Sequence, residues 1–323
     1  MTRRRGDRSA TAPADARIPD AVQVDLPHNV AVELLAAAVS DFAELHGVRT
    51  LVIKGRVLAD QGLRAVRGSS DVDVLVDPAA FERLWGLLRS NGWTDRDKAV
   101  LVDLPREGSV LAPHARTLEH PHWPCHLDLH RYYPGFLKPA QSVFDTLWEA
   151  RSTIDLAHRK CSVPAVADHW LIAALHSERS RDVAQLKDLE QRSVSSPSLD
   201  LNNLAERAIE MGAEGPLRDI LTRLTGQTFP LSAQSERLTA LWRKRIYSEV
   251  TLPETLLEQL REASWPLRIC LLARKLAPSR RFVQAFTGTP DDRMSMMRFY
   301  VRRWGKAPRK LIQLVTSTRI EGR

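Results

Sequence analysis

Arg67-Gly68-Ser69-Ser70-Asp71-Val72-Asp73-Val74-Leu75-Val76 decides how this chain is read. From Asp71 onward, acidic and aliphatic residues alternate with period two, the pattern of a β-strand with one polar face. Two aspartates at i and i+2 on a strand point the same way, close enough to share one or two divalent cations. Without a cation or a basic partner they would repel. Val74-Leu75-Val76 anchors the strand in a core and holds the pair rigid. Gly68-Ser69-Ser70 makes a turn without bulk, where backbone N–H groups and hydroxyls approach a phosphate.

On the N-terminal side, Leu34, Leu35, Ala38, Phe42 and Leu45 recur at helical spacing, so residues 30–46 read as an amphipathic helix. A short strand over 48–53 follows, closed by Lys54-Gly55, then a short helix or turn over 57–63. On the C-terminal side, Asp77-Pro78 opens a helix over 79–90 that Asn91-Gly92 stops. Residues 93–120 hold one or two strands. His126-Leu127-Asp128-Leu129-His130 is another strand, with its histidines and Asp128 on one face. Asp71, Asp73 and Asp128 on neighbouring strands suit phosphoryl or nucleotidyl transfer by two metals ~3.5–4 Å apart, one activating the attacking hydroxyl and one holding the triphosphate.

From Phe144 onward the periodicity predicts helices, at 144–150, 165–178, 182–191, 199–211, 215–224, 232–245, 253–262, 266–276 and 291–304, with a loop over 193–198. Trp148, Trp170, Trp242 and Trp265 sit in apolar helical patterns and read as core.

No stretch reaches the roughly 18 consecutive apolar residues of a membrane helix, so no membrane partner is expected. Residues 1–25 are basic but lack the apolar core of a signal peptide, and read as a disordered arm. Three scattered cysteines, Cys125, Cys161 and Cys270, form no disulfide framework, and the expected location is cytoplasmic. Residues 264–323 carry fourteen Lys/Arg against three Asp/Glu, a net of +11, while the remaining chain is at −3. Such a basic segment is either a nucleic-acid surface or a solvated helical face.

The elements Val52-Ile53-Lys54-Gly55, Gly62-Leu63-Arg64 and Ser70 to Val76 together resemble the DNA polymerase beta-like nucleotidyltransferase superfamily, and within it the bacterial uncharacterised nucleotidyltransferase family. His126 to His130 is similar to that family's third-acid strand, and Leu175-His176, Lys187-Asp188-Leu189 and 271–300 to its later helices. The resemblance implies an α+β fold, a small mixed β-sheet with flanking helices followed by an all-helical C-terminal region. The expected division is a catalytic domain over 26–143, a helical domain over 144–263 and a basic helical segment over 264–323.

The resemblance also implies a catalytic, metal-binding set of Asp71, Asp73 and Asp128 holding two Mg²⁺ ions. Lys54, Gly55, Arg64, Gly68, Ser69 and His130 would surround the nucleotide. The implied partners are a nucleoside triphosphate and a small-molecule, protein or RNA acceptor. The superfamily's Gly-Ser usually lies well ahead of the acids; here Lys54-Gly55-Arg56 takes that place while Gly68-Ser69 abuts them, so either glycine element suits the phosphates. Two further readings are a non-catalytic nucleotide-binding protein on this fold and a toxin–antitoxin nucleotidyltransferase acting on tRNA. The cluster His114, His120, His122, Cys125, His126 and His130 fits no compact zinc module. His176 reads as a core histidine, and Asp188 as a surface or helix-cap acid.

Overall fold

Thr50 to Ile53 and Val72 to Val76 are too apolar to leave either side of a sheet in water, and their need for cover on both faces sets the layers. The computed structural model describes residues 26–96, 114–195, 199–246 and 292–302, and residues 260, 265, 268 and 269. In chain order it contains α1 (His28–Leu45), β1 (Thr50–Ile53), α2 (Gly55–Asp60), β2 (Asp71–Val76), α3 (Phe81–Ser90), β3 (Thr94–Asp95), β4 (Ala115–Glu119) and β5 (His126–His130). There follow α4 (Ala140–Glu149), β6 (Ser152–Leu156), β7 (Arg159–Val163), α5 (Val166–Ser180), α6 (Val183–Ser195), α7 (Leu201–Met211), α8 (Arg218–Thr225) and α9 (Ala233–Ile246). Residues 293–302 are also helical.

The main sheet runs in the order β1-β2-β5-β4-β3. β2 and β5 are parallel, and the other neighbours are antiparallel. One face, with Val52, Val72, Val74, Leu127 and Leu129, packs with Leu35 of α1 and Leu84 of α3. On the other, Leu51, Ile53 and Leu75 join Trp170 and Leu171 of α5. By strand alternation Asp71 and Asp73 share the face of Leu75, so the acids look toward the α5 side. Leu51, Ile53 and Leu75 stand in one continuous core with Leu147, Trp170, Leu204 and Trp242 of the later helices.

Helix α5 is buried almost all round. Several of its buried polar groups are matched. Trp170 donates Nε1–H to Ser193 Oγ at 2.6 Å, and Ser193 donates to the Leu189 carbonyl at 2.6 Å. Arg207 grips the fully buried Asp168 through two hydrogen bonds of 2.7 Å and tethers α7 to α5.

The mixed sheet, flanking helices and helical C-terminal region match the expected fold class. The unbroken helical pattern expected from Phe144 onward is corrected by the β6–β7 hairpin. Its turn residues, Ala157 and His158, adopt φ of 46° and 63°, a conformation usually signalled by Asn-Gly, so the sequence carried no hairpin mark. Helix α3 starts at Phe81, because Asp77 Oδ1 accepts the Ala79 N–H and holds a turn there. Helix α6 runs to Ser195, into the expected 193–198 loop. Trp170 and Trp242 are core, whereas Trp265 is 73% exposed with the Arg268 guanidinium over its ring. The predicted helices at 253–262 and 266–276, the 1–25 arm and most of 264–323 lie outside the described residues. Among the described residues, no helix is long and apolar enough to cross a membrane.

Candidate active site

The β2–β5 register places Asp73 directly opposite Asp128, Asp71 opposite His126 and Leu75 opposite His130. Parallel pairing in register brings Asp73 and Asp128, 55 residues apart in the chain, onto one face. Asp73 is buried, at 4% exposure. Its Oδ1 is ion-paired with the Lys54 ammonium and accepts a 2.8 Å hydrogen bond from His130 Nε2–H. Burial opposes the charge of Asp73, but the His130 hydrogen bond and Lys54 hold its carboxyl well below the usual range.

Asp71 is half-buried at the mouth, where Ser69 Oγ donates to its backbone carbonyl at 3.1 Å. Burial, followed by the negative Asp73 and Asp128, raises its carboxyl above the ordinary value. Asp128 Oδ1 is buried and without a hydrogen-bond partner among the described residues. Ligand atoms of Asp73, Asp128 and His130 lie within 4.8 Å of one another. Two carboxylates and an imidazole can hold a divalent cation, and the orphaned Asp128 oxygen is the kind of group such an ion satisfies.

Lys54 reaches Asp73 from an unusual backbone. Its φ of 59° and ψ of −144° fall in a region that glycine favours, and Gly55 follows at φ 52°. Such a residue costs on the order of 1–3 kcal/mol unless its surroundings hold it. Here the Lys54 N–H donates to His169 Nε2 at 2.7 Å, His169 Nδ1–H donates to Gln61 Oε1 at 2.7 Å, and Gln61 Nε2–H donates to the Pro164 carbonyl at 2.9 Å. His169 is fully buried, and burial, with the positive Arg64 and Lys54, pushes it down to about 3, so it is neutral.

Beside the acids opens a cleft of 420 Å³, bordered by Lys54, Gly55, Arg64, Gly68, Ser69, Asp71 and Asp73. A Cβ on Gly55 would stand 3.8 Å from Ser69 Oγ, so the two glycine elements border the same space. His130 is 2% exposed and its Nε2 pairs with Asp73 Oδ1.

Arg67, Gln185 and His176 also line the cleft and were not read as site residues from the sequence. Arg67 reaches across to Gln185 of α6 at 2.6 Å. His176 lines the cleft, pushed down to about 4 by burial and by Lys54 and Arg179, with Nδ1 unpartnered among the described residues. An apolar helical pattern does not distinguish such a histidine from a core one. Asp188 pairs with Arg192 one turn on. Among the described residues His114, His120, His122, His126 and Cys125 do not gather as a metal site.

Opposed carboxylates on parallel strands, beside a cleft lined by lysine and arginine, can hold a divalent cation next to a polyanionic ligand. The chain belongs to the uncharacterised nucleotidyltransferase family, whose model matches residues 26–229. Two solved structures are similar to it. One is a lincosamide antibiotic adenylyltransferase with lincomycin bound, 16% identical, with a TM-score of 0.33 over 50% of this chain and 96% of that one. The other is an antigenic nucleotidyltransferase-like protein from Paracoccidioides brasiliensis, 13% identical, with a TM-score of 0.34 over 61% of this chain and 97% of that one. Among curated proteins none matches the chain.

Proposed function

We propose that this protein moves a nucleoside monophosphate from a triphosphate to a hydroxyl or phosphate of an acceptor, with Mg²⁺ held by Asp71, Asp73 and Asp128. The observation that carries this reading is the Asp73–Asp128 opposition beside a cleft bearing Lys54, Arg64 and Arg67. Bound divalent ions would supply charge neutralisation for the triphosphate and the departing pyrophosphate. The cationic side chains bind and orient the triphosphate, with Ser69 and the Gly68 backbone close to its oxygens. Asp128, opposite Asp73, would hold the ion that activates the acceptor hydroxyl. The acceptor oxygen bonds the α-phosphorus, the bond to the bridging oxygen breaks, pyrophosphate leaves, and the hydroxyl proton passes to solvent.

The acceptor is a small molecule, a protein side chain or an RNA; the net +11 of residues 264–323 favours RNA. Incubation with each α-labelled triphosphate, Mg²⁺ and a cell extract tests the reading. The expected outcome is label on a discrete acceptor, dependent on the divalent ion and on one preferred nucleotide. Neither transfer nor triphosphate binding under any of these conditions would refute it.

A further inference from the structure

Lys54 is the cationic residue that joins the cleft to Asp73, and a neighbouring network explains how its backbone stays where it is. We infer that His169 is a positioning residue, whose Nε2 accepts the Lys54 N–H and thereby holds the Lys54-Gly55 turn so that the ammonium meets Asp73 at the edge of the cleft. The inference rests on the reading of that cleft as a triphosphate site.

Three observations support it. Lys54 is a non-glycine residue at φ 59° and ψ −144°, so something outside the turn must maintain it. His169 sits on α5, 115 residues away, fully buried, and both ring nitrogens are engaged. Gln61 accepts from Nδ1–H and is itself fixed by the Pro164 carbonyl, which sets the tautomer with Nε2 bare. A cationic ring or the Nε2–H tautomer would present N–H to N–H. The burial that keeps the imidazole neutral therefore keeps the acceptor in place. His169 touches neither acid nor cleft, so it acts only through Lys54.

The wild-type protein is examined first, by nitrogen-resolved NMR of the histidine rings. The expected state of His169 is neutral, protonated on Nδ1, with a slowly exchanging Lys54 amide; an Nε2–H tautomer overturns the inference without any variant. His169→Phe keeps the ring volume but deletes the acceptor, whereas His169→Gln can present an oxygen near the Nε2 position. Affinity is read with a fluorescent ATP analogue and Mg²⁺. The Phe variant is expected to lose Lys54 amide protection and roughly 10-fold in affinity, as when a group that orients a ligand-binding residue is removed, and the Gln variant to recover most of both.

In a Lys54→Met background His169→Phe is expected to cost no further affinity, because the route through the lysine is gone. An equal loss in both backgrounds, or a Phe variant with an altered melting temperature but unchanged exchange and affinity, overturns the positioning role. If the unvaried protein binds no ATP analogue, the reading of the cleft fails, while the tautomer and exchange results still decide the role of His169.

Discussion

Asp73→Asn lowers nucleotidyl transfer by about 10²–10³-fold and destabilises the fold as well. The first effect follows from removing charge at the centre of the acid set. The second follows from the surroundings of Asp73, because asparagine leaves the buried Lys54 ammonium without its counter-charge. Breaking one partner out of a buried pair costs of order 3 kcal/mol.

Repulsion between the two acids, taken alone, argues the reverse: replacing either aspartate would leave the fold intact or stabilise it. That argument holds for Asp71, whose carboxyl is raised by burial and by the negative Asp73 and Asp128. The folded state holds the Asp71 proton more tightly than the unfolded chain, so stability falls as pH rises from the ordinary carboxylate range through the raised value. Asp71→Asn is therefore expected to abolish transfer while raising the melting temperature in EDTA at pH 7, with the gain fading in acid. Thermal scans of the two variants beside the transfer assay check the contrast. Equal stability changes for both would mean that Lys54 does not neutralise Asp73.

The largest purely structural effect belongs to Arg207→Leu. Its guanidinium makes a bidentate pair with Asp168, which has no exposure at all, and also bonds the Thr146 carbonyl at 3.0 Å. Leucine would leave a bare carboxylate inside the helical core, a change that costs about 3–5 kcal/mol. Protonating the stranded carboxyl removes the buried charge, so the loss should be smaller at pH 5 than at pH 8. Denaturant titrations at the two pH values measure this. A loss independent of pH would mean that packing, not charge, is what Arg207 supplies.

Much of this molecule was legible because its key strand is short, alternating and flanked by punctuation. The Asp71 to Val76 pattern, the His126 to His130 pattern and the helical spacings located their elements to within a few residues. Pairing was not legible, since nothing local says that β5 joins β2 in parallel and sets Asp128 against Asp73. The hairpin over 152–163 hid because its turn lacks asparagine and glycine. His169 and His176 hid inside an apolar helix, where a ring that braces a turn and a ring that lines a cleft leave the same trace. Lys54-Gly55 and Gly68-Ser69 competed for the phosphate role in one dimension, yet in space they border one cleft.

The most direct measurement is a crystal structure with Mn²⁺ and a non-hydrolysable triphosphate, read by anomalous scattering. This account predicts a manganese peak bound by Asp73 and Asp128, with the triphosphate lying along Lys54, Arg64 and Ser69. Manganese elsewhere, or a triphosphate seated outside this cleft, would contradict it.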